Sequence, residues 1–507
     1  MVNGSGAAAK PDSLAAEFDD ERLVANAGLV LTATLSDRLR IERLVDETVD
    51  LGERPGAARP GRKVLSLLHA MAAGADSIDD CDVLRAGETE AVLGHKAMAP
   101  STLGTFLRSF TFGHVRQLDR VLGEALRRAW AAGAGPASGR LVIDIDSFVG
   151  EVHGYQKRGA AYGYTGERGY HPLIASRQGT GELLHIRQRK GSAGSGRGAL
   201  RFVKELVARV RRAGARGEII VRADSAFWNK KVMAYLAERG CRYSIGVTLQ
   251  KPVLERIGQI PEDARQPVED YPDTGVCEVA ETKLGDERLI VRRVHLHAQD
   301  EQTELFPYWR HFAFVTNRVE DTHTVDTEHR QHAEVELCIR DLKDQALRHF
   351  PSGSFAANSA WTAIACPAHN LQRWTGTLGL EDPTPRTART IRRWLLALPG
   401  RLTRTARRWT LHLPARWPRQ RHFIEALTRI RALPAAARSP HPPPTLPPPP
   451  PPGHRPAALP TGPTINRSRP QTAAPPTTRG GPDPKPLTQP RPPLAHSPRA
   501  NRWIEAK

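Results

Sequence analysis

The sequence predicts an α/β fold: a mixed β-sheet with flanking helices, a β-rich insertion late in the sheet, and a helical region ahead of it. Three observations lead there. Residues 21–132 carry apolar side chains at helical spacing. A Gly/Ala-rich linker, AAGAGPASGR (131–140), then marks a change of period. Beyond it, up to about residue 376, β-branched runs alternate with amphipathic helices, and two of those runs end in aspartate.

Taken in order, residues 1–20 read as a disordered arm. GLVLTATLSDRLRIERLVDETV, GRKVLSLLHAMAAG, STLGTFLRSF and HVRQLDRVLGEALRRAW follow as helices. In the last, Val115, Leu118, Val121, Leu122 and Leu126 share one face. Several short helices in a basic chain suggest a DNA-binding region or else a plain helical domain packed on the core, and no helix-turn-helix signature is visible.

Residues 133–376 hold the sheet. LVIDIDSFVG is its first strand, with Asp144 and Asp146 on one face because strand side chains alternate. A Gly/Tyr-rich turn leads to a second strand at about 172–176, and LLHIRQR (183–189) is a third. GSAGSGRG lacks the Lys-Ser/Thr ending of a phosphate-binding loop. LRFVKELVARVRRAG is a helix closed by Gly214. EIIVRADSAF is a fourth strand ending at Asp224, followed by a helix to about Arg239 and a fifth strand, CRYSIGVTL. Three strands, a helix, a strand, a helix and a strand is the order of a ribonuclease-H-like sheet.

Residues 249–317 read mostly as β structure, an insertion before the stretch Glu328–Lys343. SFAANSAWTAIACPAHNLQRW is a mainly apolar core helix that Pro367 is expected to kink. Residues 377–433 form a basic segment; 386–433 hold thirteen arginines and one acidic residue, Glu425. The Pro-rich stretch 434–507 is expected to be disordered, because it cannot bury enough apolar surface to fold.

Lys and Arg total 73 against 54 Asp and Glu, a formal net charge of +19. This balance favours a polyanionic partner, nucleic acid first. The five cysteines, at 81, 241, 277, 338 and 366, include no CxxC pair, which excludes a zinc ribbon and fits a reducing cytoplasm. The N-terminal stretch has an early acidic run and no apolar centre, unlike a signal peptide. No run of about 18 apolar residues is present to span a membrane.

Glu328–Lys343, read as one helix at ~100° per residue, gathers His329, His332, Glu336, Arg340 and Lys343 into a polar stripe. Val335, Ile339, Leu342 and Ala346 form an apolar stripe beside it. Asp146 and Asp224 at strand ends, with Glu336 on the helix, are hard oxygen donors of the kind that hold two Mg²⁺ or Mn²⁺ ions against a phosphodiester. His329, His332, Arg340 and Lys343 are then expected to contact DNA phosphates. His329 and His332 stand three apart, but without an HExxH pattern a zinc site is not expected.

The stretches VANAGL, SIDDCDVLR, STLGTFLR, LVIDIDSFVGEVHGYQKRGAAYGY, GYHPLIA, VRADSAF, HAEVELCIRDLK and AANSAWTAIACPAHNL together resemble the DDE transposases of bacterial insertion sequences, specifically the group 1 transposase domain, over roughly 25–433. The resemblance implies a ribonuclease-H-like core, Mg²⁺-dependent cleavage at transposon ends and transfer of the freed 3′-OH to target DNA. It implies Asp146, Asp224 and Glu336 as the catalytic metal-binding triad, with Asp144 as the alternate first aspartate. It further implies double-stranded DNA as partner, a homodimer pairing two transposon ends, and a bacterial cytoplasmic location at the nucleoid. Three positions depart from the family pattern: His329 and His332 replace a Tyr and an Arg, and Phe148 stands where Thr is expected. Trp309 in the insertion is a candidate to stack on a flipped base, or else a packed aromatic. Two other readings compete: a metal-dependent nuclease without strand transfer, and a DNA-binding protein that keeps the fold without catalysis.

Overall fold

The computed structural model describes residues 11–163, 165–269, 271–272, 275–296, 309–382 and 384–437. Residues 1–10 of the expected arm and nearly all of the Pro-rich tail (438–507) lie outside the described residues. A short strand, β1 (Leu23–Val24), precedes six helices: α1 (Leu29–Arg38), α2 (Ile41–Thr48), α3 (Pro60–Ala73), α4 (Thr89–Leu93), α5 (Pro100–Arg108) and α6 (Phe112–Ala129). The face foreseen on α6 is buried, Val115 through Leu126.

The sheet follows. Its first strand is β2 (Leu141–Ser147); three short strands, β3 (Gly150–Glu151), β4 (Ala161–Tyr162) and β5 (Arg168–Tyr170), form a small side sheet. Then come β6 (Leu173–Arg177), β7 (Leu183–Arg187), α7 (Ala199–Ala213), β8 (Ile219–Ala223), α8 (Lys230–Glu238) and β9 (Arg242–Gly246). In space the order is β7-β6-β2-β8-β9, with β2 antiparallel to β6 and parallel to β8. The order of elements along the chain foreseen from the sequence is the observed one apart from the short strands β3–β5, and the fold is a mixed α/β sheet flanked by helices.

The insertion opens on a helix, α9 (Lys251–Gly258), then gives β10 (Gln266–Pro267), β11 (Gly275–Leu284), β12 (Glu287–Leu296) and β13 (Arg310–Thr316). It is not a separate β layer. β13 pairs antiparallel with β9, so the insertion strands continue the same sheet to nine strands. Edge pairing satisfies the backbone groups that β9 would otherwise expose. Helix α10 (Thr322–Arg330), a 3₁₀ turn (Gln331–Ala333) and α11 (Glu334–Lys343) follow. Glu328–Lys343 is thus two helices with a tighter turn between them.

Helix α12 (Phe355–Gly379) runs unbroken through Pro367 and is buried on nearly all sides, as expected of a helix apolar all round. It packs against α1, α3, α5, α6 and β7. The helical region and the sheet therefore share one apolar core, running from Leu29 to Ile430; 21–132 is not separately packed. The buried polar side chains of α12 clasp neighbours. Asn370 Oδ1 accepts from the Leu183 N–H at 2.7 Å, its Nδ2 donates to the Leu183 carbonyl at 2.8 Å, and Gln372 Nε2 donates to the Ala72 carbonyl at 2.7 Å. The basic segment is folded: α13 (Ala388–Ile391), a π turn (Arg392–Leu396), the hairpin β14 (Gly400–Thr405) and β15 (Arg408–His412), and α14 (Gln420–Ala432), which packs on α1 and α12. All five cysteines are buried and unpaired. No described helix is long and apolar enough to cross a membrane.

Asn370 bonds both the N–H and the C=O of Leu183, the first residue of β7, and the carbonyl also accepts from Cys366 Sγ at 3.9 Å, so Asn370→Ala removes the side-chain partner of a buried N–H and leaves the carbonyl a weak thiol donor. We expect a loss of about 2–4 kcal/mol, read as a lower urea midpoint at unchanged denaturant slope. A shift equivalent to under about 0.5 kcal/mol would show that the clasp contributes little.

Candidate active site

Asp146 and Asp224 come from adjacent parallel strands. The register pairs Asp144 with Arg222 and Ile145 with Ala223; one step further along the two strands come Asp146 and Asp224, the latter the first residue past β8. Neighbouring strands lie about 4.8 Å apart. Asp224 then caps a short 3₁₀ turn, accepting from the Ala226 N–H at 3.2 Å. Gly246 at the end of β9 lets the chain turn there: a Cβ on it would come within 3.0 Å of the Ser225 nitrogen. Asp146 is half-buried and accepts from the Ser147 N–H at 2.6 Å.

Glu336 stands exposed in the first turn of α11. The inner face of that helix is pinned. Glu334 Oε2 accepts from the Gly179 N–H at 3.0 Å, Cys338 Sγ donates to the Gly181 carbonyl at 3.5 Å, and Asp341 Oδ2 accepts from Arg373 Nη2 at 2.5 Å and the Ala388 N–H at 2.8 Å. Val335 and Leu342 are buried beside them. Glu336, Arg340 and Lys343 remain exposed.

Electrostatics tie the carboxylates into one neighbourhood. Burial pushes the Asp146 carboxyl up to about 6; the Ser147 N–H and His332 oppose this, while Asp224 and Glu336 add to it. Asp224 is raised too, by burial first, with its Ala226 hydrogen bond, His332 and His171 opposing. Among the described residues, none of the three carboxylates is ion-paired to a lysine or arginine. This is notable in so basic a chain, where most buried acids have such a partner.

Asp144 has a different fate. It is fully buried, and Arg222 grips both its oxygens, Nε to Oδ1 and Nη2 to Oδ2 at 2.7 Å each. His332 Nδ1 donates to Oδ1 at 2.9 Å. Arg222 Nη1 also donates to the Glu328 carbonyl. With both oxygens held by an arginine, Asp144 is less available than Asp146 to a metal ion and anchors β2 to β8.

His329 departs from expectation as well. The 3₁₀ turn after α10 advances by ~120° per residue instead of ~100°, so His329 leaves the stripe formed by Glu336, Arg340 and Lys343. It turns inward, 2.7 Å from Ser244 Oγ and stacked on Phe314 with centroids 4.0 Å apart. Burial holds it well below the usual histidine range, with His332 and nearby arginines adding to this. It is half-buried and packed, which leaves it less available to a phosphate than Arg340 or Lys343. His332 is committed to Asp144 but lies beside the site. Lys343 Nζ stands 5.5 Å from the centre of the Phe148 ring, so the aromatic at that position props the lysine. Trp309 is half-buried against Arg293, whose guanidinium lies 4.2 Å from its ring centre, and His295; it is packed.

Sequence reasoning missed His171. Its Nδ1 donates to the Ala193 carbonyl at 2.6 Å, and its Nε2 lies 3.0 Å from Ser147 Oγ, which meets Ser195 Oγ at 3.2 Å. This chain of hydrogen bonds braces the residue after Asp146. The GYHPLIA stretch was its signal, a polar residue entering an apolar strand.

The donor set suits a hard divalent cation: carboxylate oxygens short of counter-charge. It is an open set. Among the described residues, no three His, Cys, Asp or Glu side chains are drawn close enough to hold a metal ion by themselves. Asp146 and Asp144 predict opposite stability effects. Raised from 3.8 to about 6, Asp146 costs stability when ionised. The cost is fully present above pH 6 and is lost as the pH falls towards 4. Asp146→Asn should therefore raise the melting temperature by a few degrees at pH 7.5 and not at pH 4. Asp144→Ala should cost about 3–5 kcal/mol by leaving Arg222 buried and unpaired. Thermal melts of both variants across pH check this; a stabilised Asp144→Ala would reverse the assignment of roles.

No curated protein matches the chain. One solved structure, titled "Cryo-EM structure of piggyBac transposase synaptic complex with hairpin DNA (SNHP)", is distantly similar over 74% of this chain and 80% of that chain, at 14% identity and a TM-score of 0.39. The family described as "Transposase DDE domain group 1" matches residues 7–435. The chain, from its helical region through the sheet to α14, belongs to the group 1 DDE transposase family.

Proposed function

We propose that the protein is a DNA transposase that cleaves the ends of its element and joins the freed 3′-OH to target DNA. The observation that carries this reading is Asp146 and Asp224 at the ends of adjacent parallel strands, with Glu336 exposed on α11 and no lysine or arginine ion-paired to any of the three among the described residues. Asp146 and Asp224 would hold Mg²⁺ or Mn²⁺ at the strand ends, and Glu336 would complete the set from α11. When bound, the ions supply Lewis-acid stabilisation of the attacking and leaving oxygens of the phosphodiester.

The chain's own residues do the rest. Arg222 and Asp144 fix His332, and with it the turn that carries Glu336 to the strand ends. Arg340 and Lys343, four and seven residues beyond Glu336 on the same helix, are set to receive the DNA backbone, Lys343 braced on Phe148. Two copies would pair the two element ends on double-stranded DNA at the bacterial nucleoid. The open donor set favours one second reading, a DNA-binding protein of this fold without catalysis.

A labelled repeat-ended duplex, incubated with protein, Mg²⁺ or Mn²⁺ and a plasmid, separates the readings. Joining of the labelled 3′-OH to the plasmid is expected. Cutting without joining would indicate a nuclease, and binding alone the non-catalytic reading. Asp224→Ala and Glu336→Gln should each lower cleavage by at least about 10²–10³-fold while DNA affinity stays within a few-fold. Binding should also weaken steeply with salt; a flat response would contradict a phosphate-centred interface.

A further inference from the structure

The β14–β15 hairpin is unexplained by the catalytic reading. Its base is anchored: Leu402 is buried, and with Leu411 and Leu413 it packs on Val24, Val92 and Ala27, while β14 pairs with β1. Its outer half is not. The cross-strand pairs are Arg401 with His412, Leu402 with Leu411, Thr403 with Thr410, Arg404 with Trp409 and Thr405 with Arg408. Arg404 and Trp409 thus continue the face that is apolar at the base, yet Trp409 is 50% exposed. The ribbon runs past the edge of the core it rests on.

Its chemistry is one-sided. Residues 383–424 contain no Asp or Glu. Arg404, Arg407 and Arg408 are exposed, and none has a carboxylate partner among the described residues. Arg404 lies 5.2 Å from the centre of the Trp409 ring. The tip turns through Ala406 at φ 54°, a left-handed position that glycine or asparagine would fill more easily. An exposed two-stranded ribbon is marginally stable alone, and three unneutralised guanidinium groups at its tip repel one another. A polyanion relieves that repulsion. A two-stranded ribbon also matches the width of the DNA major groove, about 12 Å.

We infer that the β14–β15 ribbon is a second DNA-contacting element, separate from the carboxylate site, that enters a groove of duplex DNA with Arg404, Arg407 and Arg408 on phosphates and Trp409 against the groove wall. This rests on the transposase reading for its partner and on the ribbon's geometry for its place.

The test uses the full chain and a fluorescent 30-bp duplex carrying the element end, with affinity measured by anisotropy at several salt concentrations. The triple variant Arg404→Gln, Arg407→Gln, Arg408→Gln keeps the side-chain stems and should melt within a degree or two of the parent. It should bind about 10–100-fold more weakly, and the magnitude of its log–log salt slope should fall by about 3, near one unit for each phosphate released. The corresponding triple Lys variant should recover most of the affinity. Unchanged affinity and slope in the Gln variant, with a parent that binds duplex, would overturn the ribbon inference and leave the transposase reading standing. A parent that fails to bind duplex would overturn both. A Gln variant that binds duplex normally but loses affinity for single-stranded RNA would assign the ribbon to RNA and overturn the inference. Weakened binding in a protein that never cleaves would uphold the ribbon and sink the catalytic reading.

Discussion

The geometry of the site depends on one buried ion pair. Asp144 and Asp146 sit two residues apart on one face of β2, and only the first receives an arginine. Arg222, directly across the parallel register, takes both Asp144 oxygens. His332 adds a third hydrogen bond from the turn ahead of α11, and Arg222 reaches the Glu328 carbonyl. Three chain segments far apart in sequence are thereby locked at one point. Burying such a pair costs desolvation that its Coulomb attraction only partly offsets. Its value here is register: it fixes where α11 begins, and so which side of the strand ends Glu336 faces.

The second organising element is α12. A helix buried on nearly every side has no solvent face to spare, so every polar residue on it needs a partner. Asn370, Gln372 and Arg373 bind β7, α3 and α11 respectively. Through α12 the helical region, the sheet and the C-terminal α14 share one interior. The helical region is thus bonded into the body that carries the site, and the ribbon shares a small apolar cluster with β1 and α4.

The strands and their aspartates were legible because period-two apolar runs ending in a carboxylate have few other readings. The apolar stripe of α11 was legible for the same reason. What could not be read was set by non-local pairing or by a small change of helical phase. Asp144 and Asp146 look equivalent in LVIDIDS; only the register with β8 gives one of them an arginine. His329 fits a 100° stripe until a 3₁₀ turn shifts it inward. Strands β11–β13 were recognised, but their addition to the edge of the main sheet depends on β13 meeting β9, a pairing no local pattern encodes. In GRLTRTARRWTLHL the alternation of a hairpin is present, but the density of arginine hides it behind a merely basic composition.

The contrast between Asp144 and Asp146 explains why a chain of net charge +19 leaves its central carboxylates without arginine partners. A guanidinium at Asp146 would settle that carboxyl as Arg222 settles Asp144. It would also occupy the oxygens that a divalent ion needs and hold the charge permanently. Keeping arginine away leaves Asp146 half-buried and pushed up to about 6. That state costs stability when the carboxyl is ionised, a cost that the cation of the proposed function would relieve. The exposed basic groups stand further along the helix of Glu336: Arg340 and Lys343 lie ~6 and ~10 Å from it at about 1.5 Å per residue. Glu336 and Arg340 are at ion-pairing spacing, yet no ion pair between them is present among the described residues. A carboxylate and two cationic side chains are thus exposed on one helix without cancelling each other.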